Sequence, residues 1–245
     1  MKIDEYQKMY DLETHYWWHQ GRRKIIEVLL KKYLTKTNSN VEILDLGCGT
    51  GINFEILRKF GKVEGIDYSP EALKFCQRRG ITEVRQGDVE NLTIPDNSYD
   101  AVTAFDILEH LKHDEKAIEN VYRILKPGGV FFLLSPAYQF LWSRHDEALH
   151  HYRRYVLSDM HRKLNTAGFE TIKRSYCIFF LFLPIVFYRL ITSLWSDGQP
   201  KTSYVLLPGW LNGFFVLLLR LEAYVLKYFN FPFGVSILCI AKKHD

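Results

Sequence analysis

The chain has 245 residues, 32 Lys plus Arg against 28 Asp plus Glu, and a formal charge of +4. That length suits one large α/β domain or a domain carrying an insertion; 47% hydrophobic and 24% charged residues exclude disorder, a collagen-like chain and a pure coiled coil. So small a charge surplus does not point to nucleic acid, and Cys48, Cys76, Cys177 and Cys239, with no CxxC pair, point to a reducing compartment rather than a disulfide framework or zinc ribbon.

The polar start, MKIDEYQKMYDLE, carries acids throughout and does not read as a secretory signal. Trp18, Ile25, Val28 and Leu29 fall near helical spacing and predict a helix over His15 to Leu34. The apolar run Val41 to Leu46 predicts a strand that enters Gly47-Cys-Gly-Thr-Gly51 and then a helix, Ile52 to Phe60. A second strand, Lys62 to Asp67, leads into Ser69-Pro70-Glu71, where Ser is suited to cap a helix reaching Arg79. Further strands are expected at Thr82 to Gln86, Tyr99 to Phe105 and Gly129 to Leu134, with a helix near Glu115 to Leu125 between the last two. After a loop of mixed charge and aromatics, Ser135 to Tyr155, comes a helix near Ser158 to Ala167, closed by Gly168. Phe169 to Tyr176 and Val235 to Lys242 read as two last strands. Alternating strands and helices predict an α/β fold with a doubly wound, mostly parallel sheet. Linker-like runs appear only at Thr35 to Asn40 and Ser196 to Ser203.

A glycine turn between a first strand and its helix lets backbone N–H groups approach a ligand. Here Ile52 stands where a dinucleotide fingerprint needs Gly or Ala, and no GK[ST] follows, so NAD and nucleoside triphosphates fit poorly. Asp67, about 20 residues after the first glycine, is placed to accept both ribose hydroxyls. Asp88, in Gln-Gly-Asp-Val, is suited to an adenine amino group, or to capping its own turn.

Ile43-Leu-Asp-Leu-Gly-Cys-Gly-Thr-Gly51, Gly65-Ile-Asp-Tyr-Ser69, Gly87-Asp88, Tyr99-Asp-Ala-Val102, Ile107-Leu-Glu-His-Leu111 and Leu125-Lys-Pro-Gly-Gly129 resemble the class I S-adenosylmethionine-dependent methyltransferases over roughly residues 40 to 135. The resemblance implies an S-adenosylmethionine site at the carboxyl ends of seven strands in the order 3-2-1-4-5-7-6, the seventh antiparallel. It places the methionine part on Asp45, Gly47, Cys48, Gly49 and Gly51, the ribose on Asp67 beside Tyr68, and the adenine on Asp88 and Val89. The amino group falls to the backbone of Phe105 and Asp106. It further implies an N-terminal helix closing over the cofactor, where Arg22 or Arg23 would meet the carboxylate and Tyr16 or Trp17 the sulfonium. A sulfonium cation without phosphate suits walls rich in carboxylates.

Methyl transfer is an in-line displacement dominated by alignment, and a base is needed only if the acceptor loses a proton early. Glu109, His110, His145 and His150 are the catalytic candidates, with Asp146 and His151 in the same loop. That loop, Trp142 to Tyr155, resembles the stretch that covers the acceptor pocket in one branch of the family. Arg153 and Arg154 there are suited either to clamping a phosphate or carboxylate or to pairing with Asp. Asp106-x-x-Glu109-His110 with His145 or His150 offers metal-ligand types, but family members without metal share the Leu-Glu-His run, so no metal is expected.

From Tyr176 to Gly234 only six residues are charged and aromatics crowd the chain. This divides it into a cofactor domain, 1–177 with 235–245, and an apolar helical insertion, 178–234, between strands six and seven. Pro184 and Pro208-Gly209 interrupt the apolar runs, so they are marginal as bilayer spans. An interfacial hairpin fits: aromatics at the headgroups, Arg189, Lys201, Arg220 and Lys227 toward anionic lipid, and the catalytic domain in the cytosol. The expected activity is methyl transfer to oxygen or carbon of a lipophilic or lipid-linked acceptor at a membrane surface, with no nucleic-acid partner. Two alternatives stay open: a soluble small-molecule acceptor with the insertion as a homodimer interface, and a cofactor-binding protein without turnover.

Overall fold

The computed structural model describes residues 3–34, 41–194, 202 and 204–244. The linker-like run Thr35 to Asn40 lies outside them, as does Ser196 to Ser203 apart from Thr202. Seven strands, β1 (Glu42–Leu46), β2 (Lys62–Asp67), β3 (Val84–Gln86), β4 (Tyr99–Phe105), β5 (Leu125–Pro136), β6 (Glu170–Cys177) and β7 (Ser236–Lys242), form one sheet in the order β3-β2-β1-β4-β5-β7-β6. The first five run parallel, and β7 is antiparallel to both β5 and β6. This is the order the resemblance implied.

Nine helices accompany the sheet among the described residues: α1 (Ile3–Leu12), α2 (Trp17–Tyr33), α3 (Phe54–Leu57), α4 (Pro70–Arg78), α5 (Asp114–Ile124), α6 (Arg144–Ala148), α7 (Leu157–Thr166), α8 (Phe182–Leu194) and α9 (Gly209–Tyr228). Ser69 caps α4 by accepting from the Ala72 N–H, as its sequence suggests. The strands alternate their side chains between two cores. Ile43, Phe132, Leu238 and Ile240 face α2, α3 and α9, while Leu44, Phe131, Ile237 and Cys239 face α5 and α7.

Several elements differ from the sequence reading. The polar start forms its own helix, α1, because Tyr6 packs on Phe75 and Ala72 of α4. The helix expected from Ile52 to Phe60 shrinks to the single turn of α3. The prolines of the apolar segment begin helices rather than interrupting them: Pro184 sits in the first turn of α8, and Pro208 precedes the first residue of α9. A proline lacks an N–H that the first turn does not use.

Two polar helices would not hold α9, but α2 offers it an apolar stripe. Val216, Leu219, Ala223 and Leu226 recur at helical spacing and are buried in the same core as Ile25, Leu29 and Leu30. Burying Val216, Leu219 and Leu226 contributes roughly 1.5–3 kcal/mol each. The helices approach so closely that a Cβ on Gly21 would lie 2.2 Å from Leu219 Cδ1. Trp17 meets Phe215 edge-on at 5.2 Å, and its backbone N–H donates to Asn212 Oδ1 at 2.9 Å. Glu222, fully buried on the same stripe, accepts from the N–H groups of Ile178, Phe179 and Phe180 and so ties α9 to the end of β6. The opposite face keeps Trp210, Phe214, Leu217, Leu221, Tyr224 and Tyr228 exposed.

Candidate active site

A cavity of about 720 Å³ opens at the carboxyl ends of the parallel strands. Its wall combines the glycine loop, the ends of β2 and β4, the N-terminal helices, the loop after β5, and Ile185, Tyr188, Arg189, Tyr204 and Val205 from the segment between β6 and β7. The glycine loop has its shape because Gly47 and Gly49 take positive φ, 65° and 57°, a region where a side chain is strained. The Gly49 N–H donates to Asp67 Oδ2 at 2.9 Å, and the Ser69 N–H donates to Oδ1 at 2.9 Å. Asp67 is thereby fixed on the cavity wall, although burial raises its pKa.

Asp45 and Gly51 are the two expected cofactor residues that do not reach the cavity surface. Asp45 lies behind the loop, fully buried, accepting from Thr103 Oγ1 at 2.6 Å with its other oxygen unbonded, and burial pushes its pKa up to about 7. Gly51 backs onto Ile81 and Cys76. Gly47, Cys48, Gly49, Tyr68, Asp88, Val89, Phe105 and Asp106 all line the cavity. Asp88 spends its carboxylate locally, accepting from the Glu90 N–H at 2.9 Å and from Asn91 Nδ2 at 2.7 Å. Asp106 takes a positive φ of 56° and pairs with Arg22 of α2.

The N-terminal segment is latched to the loop by a group that no motif announced. Glu13, buried between α1 and α2, accepts from Thr50 Oγ1 at 2.5 and 2.7 Å and pairs with Arg79. Its backbone carbonyl accepts from Arg23, so Arg23 is occupied there. Arg22, Trp17 and His19 line the cavity, and Arg22 Nε, Trp17 Nε1 and His19 Nε2 are buried without hydrogen-bond partners among the described residues. Unbonded donors beside the glycine loop fit an anionic group such as a carboxylate.

The loop after β5 is a buried ion network rather than a solvated run. Asp146, fully buried, accepts from Arg154 Nε at 2.8 Å, Arg154 Nη2 at 2.9 Å and the Ser143 N–H at 2.8 Å, with His151 Nδ1 at 2.9 Å. Burial alone would raise its pKa, but the His151 contact and the Arg154 guanidinium hold it well below the usual carboxylate range. Arg153 donates to Asp114 at 3.0 Å and to the Lys112 carbonyl at 2.8 Å. Both arginines offered as a ligand clamp are therefore engaged with the protein itself.

Among the four catalytic candidates, Glu109 and His110 stand together, and the structure adds His151 rather than His145 or His150 to them. One ligand atom from each of Glu109, His110 and His151 lies within 4.8 Å of the others. Glu109 is fully buried, with neither carboxylate oxygen hydrogen-bonded among the described residues, and burial pushes its pKa well above the usual value. Burial lowers the pKa of His110 to about 3 and that of His145 to about 4, so both are neutral at pH 7. His145 faces the Tyr204 ring edge-on, and His150, at a positive φ of 59°, is exposed at the cavity wall. His151 was legible only as one histidine among several; its pairing with Asp146 across five residues carries no sequence signal.

Residues 44–133 match the model of a methyltransferase domain. A Mycolicibacterium smegmatis protein named as an S-adenosylmethionine-dependent methyltransferase is 28% identical over 162 residues, 64% of this chain and 61% of the relative. A ubiquinone biosynthesis O-methyltransferase of Xanthomonas oryzae is 30% identical over 141 residues, 53% of this chain and 59% of the relative. The matches thus span about three-fifths of these relatives. A chain from the complex of the Haloferax volcanii Trm112 methyltransferase activator with a methyltransferase superposes with a TM-score of 0.63 at 19% identity, covering 99% of this chain and 95% of that one, which shows a shared fold. The match over residues 44–133, the sheet order and a glycine loop bound to the carboxylate of Asp67 support a class I S-adenosylmethionine-dependent methyltransferase domain, with S-adenosylmethionine as its cofactor.

Proposed function

We propose that the protein transfers a methyl group to a lipophilic acceptor, through oxygen, at a membrane surface on the cytoplasmic side. The observation that carries this reading is a single cavity shared by the glycine loop and by Tyr188, Arg189, Tyr204 and Val205, which belong to the same segment as the exposed apolar helix faces. An acceptor held in a surface layer would enter beside those residues and meet the cofactor without crossing water. The similarity to a ubiquinone biosynthesis O-methyltransferase supports a lipophilic hydroxyl as the acceptor.

In this reading Asp67 holds the ribose, with Tyr68 at the rim, and Asp88 and Val89 flank the adenine. Gly47, Cys48 and Gly49 approach the methionine part, while Asp45 and Gly51 support the loop from behind. Arg22 takes the cofactor carboxylate, and Phe105 and Asp106 take its amino group through their backbone. Glu109 and His110 face the acceptor oxygen, with His145 and His150 further along the wall. When bound, S-adenosylmethionine would supply a methyl group on positive sulfur for in-line transfer to the acceptor oxygen, whose proton would leave to water.

The bare face of α9 supports the membrane part. Trp210, Phe214, Leu217, Leu221, Tyr224 and Tyr228 form one stripe, and cations border it: Lys24 lies 5.9 Å from the Tyr224 ring, and Lys227 lies 5.3 Å from that of Tyr228. An aromatic stripe edged by lysine fits the headgroup layer. α9 is long and apolar enough to cross a bilayer, but its other face is packed on α2 and carries buried Glu222, so it lies on the layer instead. The 178–234 segment is thus both membrane platform and cavity wall.

The test is incubation with methyl-labelled S-adenosylmethionine and a total lipid extract, alongside sedimentation with anionic phospholipid vesicles. Label is expected in the organic phase, and replacing Trp210 and Leu217 by Glu should abolish sedimentation. Label confined to water-soluble products, or a detergent-free dimer that ignores vesicles, would favour a soluble acceptor and self-association.

A further inference from the structure

Glu109 is the least satisfied buried group beside the cavity. An ionised carboxylate without hydrogen bonds or a countercharge is costly to bury, so the site calls for a proton or a cation. The nearby guanidinium of Arg22 is paired with Asp106. Two imidazoles are close at hand instead: His110, next in the chain, and His151, whose ring meets that of His110 edge-on with centroids 4.6 Å apart.

His151 is oriented by a buried carboxylate. Asp146 Oδ1 sits 2.9 Å from its Nδ1, which leaves Nε2 as the ring nitrogen available to a ligand. Asp146 is in turn fixed by two bonds from Arg154 and one from the Ser143 N–H. A carboxylate behind one ring nitrogen sets the tautomer and aims the other, the arrangement found behind metal-bound histidines. Two imidazole nitrogens and one carboxylate oxygen are donors for zinc-class cations, whereas Mg²⁺ and Ca²⁺ take oxygen ligands.

We propose that Glu109, His110 and His151 form a site for one divalent transition cation, with an open coordination position toward the cavity. Ligand atoms now within 4.8 Å of one another need to close to about 3.3 Å, the spacing set by bonds of about 2.0 Å in a tetrahedral shell. Cation binding would require side-chain rotation to bring about that closure. The proposal departs from the sequence expectation of no metal because the third ligand is His151, not His145 or His150. Its role, though not the binding itself, rests on the O-methyl transfer reading: an acceptor hydroxyl on the open position would lose its proton to water more readily and attack as the alkoxide or phenoxide.

Equilibrium dialysis of the full-length, tag-free chain against Co²⁺, followed by visible absorption, tests this directly. One Co²⁺ per chain is expected, with ligand-field bands of nitrogen and oxygen coordination. Glu109→Gln and His151→Ala should each weaken binding at least about 100-fold, and Asp146→Asn about 10-fold or more. His161→Ala, on α7, should leave it unchanged, and S-adenosylhomocysteine binding retained in His151→Ala would show an intact fold. Absence of stoichiometric Co²⁺, or equal binding in the wild type and both ligand variants, would overturn the site. If Co²⁺ binds as expected while no lipid is labelled, the cation site stands and the acceptor reading fails.

Discussion

The strand-end half of the cavity and the α8–α9 half solve opposite problems. Around the glycine loop and the loop after β5, charged side chains are mostly matched, Glu13 with Thr50 and Arg79, Asp106 with Arg22 and Asp146 with Arg154, while buried Glu109 stands without a hydrogen bond among the described residues. The α8–α9 segment has little charge, spends buried Glu222 on backbone N–H groups, and leaves leucines and aromatics in the open. The first half is built for a small polar ligand whose charges must be met one by one; the second fits a surface that asks only for apolar area. The proposed methyl transfer to a lipophilic hydroxyl would use both in one cavity.

The sharpest break in this contrast should come from the charged half. Arg154→Met leaves Asp146 buried with a lost bidentate partner, and stability should fall by about 3–5 kcal/mol, read as a shift of the urea midpoint. A loss below about 1 kcal/mol would mean that the loop is solvated. The apolar half is welded to α2 through Gly21, so Gly21→Leu should cost about 1–3 kcal/mol by overpacking against Leu219; an unchanged melting temperature would show that α9 is not part of the core. The smallest effect concerns Asp45. Its folded pKa of about 7 exceeds the usual 3.8, so the folded chain binds that proton more tightly than the unfolded chain. Its contribution is full below about pH 4 and fades as pH rises through 7. Asp45→Asn should flatten the fall between about pH 5 and pH 8 by on the order of 1 kcal/mol, measured by denaturant titration at both values.

The two halves also differed in legibility. Glycine turns, apolar runs and the acid ending β2 are local signals, and they carried the alternation of strands and helices and the position of Asp67 on the cavity wall, whereas the sheet order came only from the family resemblance. The latch of Glu13 on Thr50 spans 37 residues and the seat of Trp17 on Asn212 spans 195, so neither leaves a spacing to read. Arg153 and Arg154 read equally as a ligand clamp or as partners of Asp, because composition does not report burial. Pro184 and Pro208 read as breaks because their meaning depends on where a helix begins. His145 and His150 drew attention as histidines in a rich loop, yet the neighbour of Glu109 and His110 is His151, oriented by a carboxylate that only the folded chain brings to it.

The claim beneath all of this is that carboxylates at the strand ends receive an adenosyl sulfonium. Calorimetric titration of the wild type and Asp67→Ala with S-adenosylmethionine, and with NAD as a control, tests it most directly. One S-adenosylmethionine per chain should bind the wild type, at least about 100-fold more weakly in the variant, about 3 kcal/mol, with thermal unfolding retained and no heat from NAD. Equal affinity in the two chains, or NAD binding in place of S-adenosylmethionine, would contradict it.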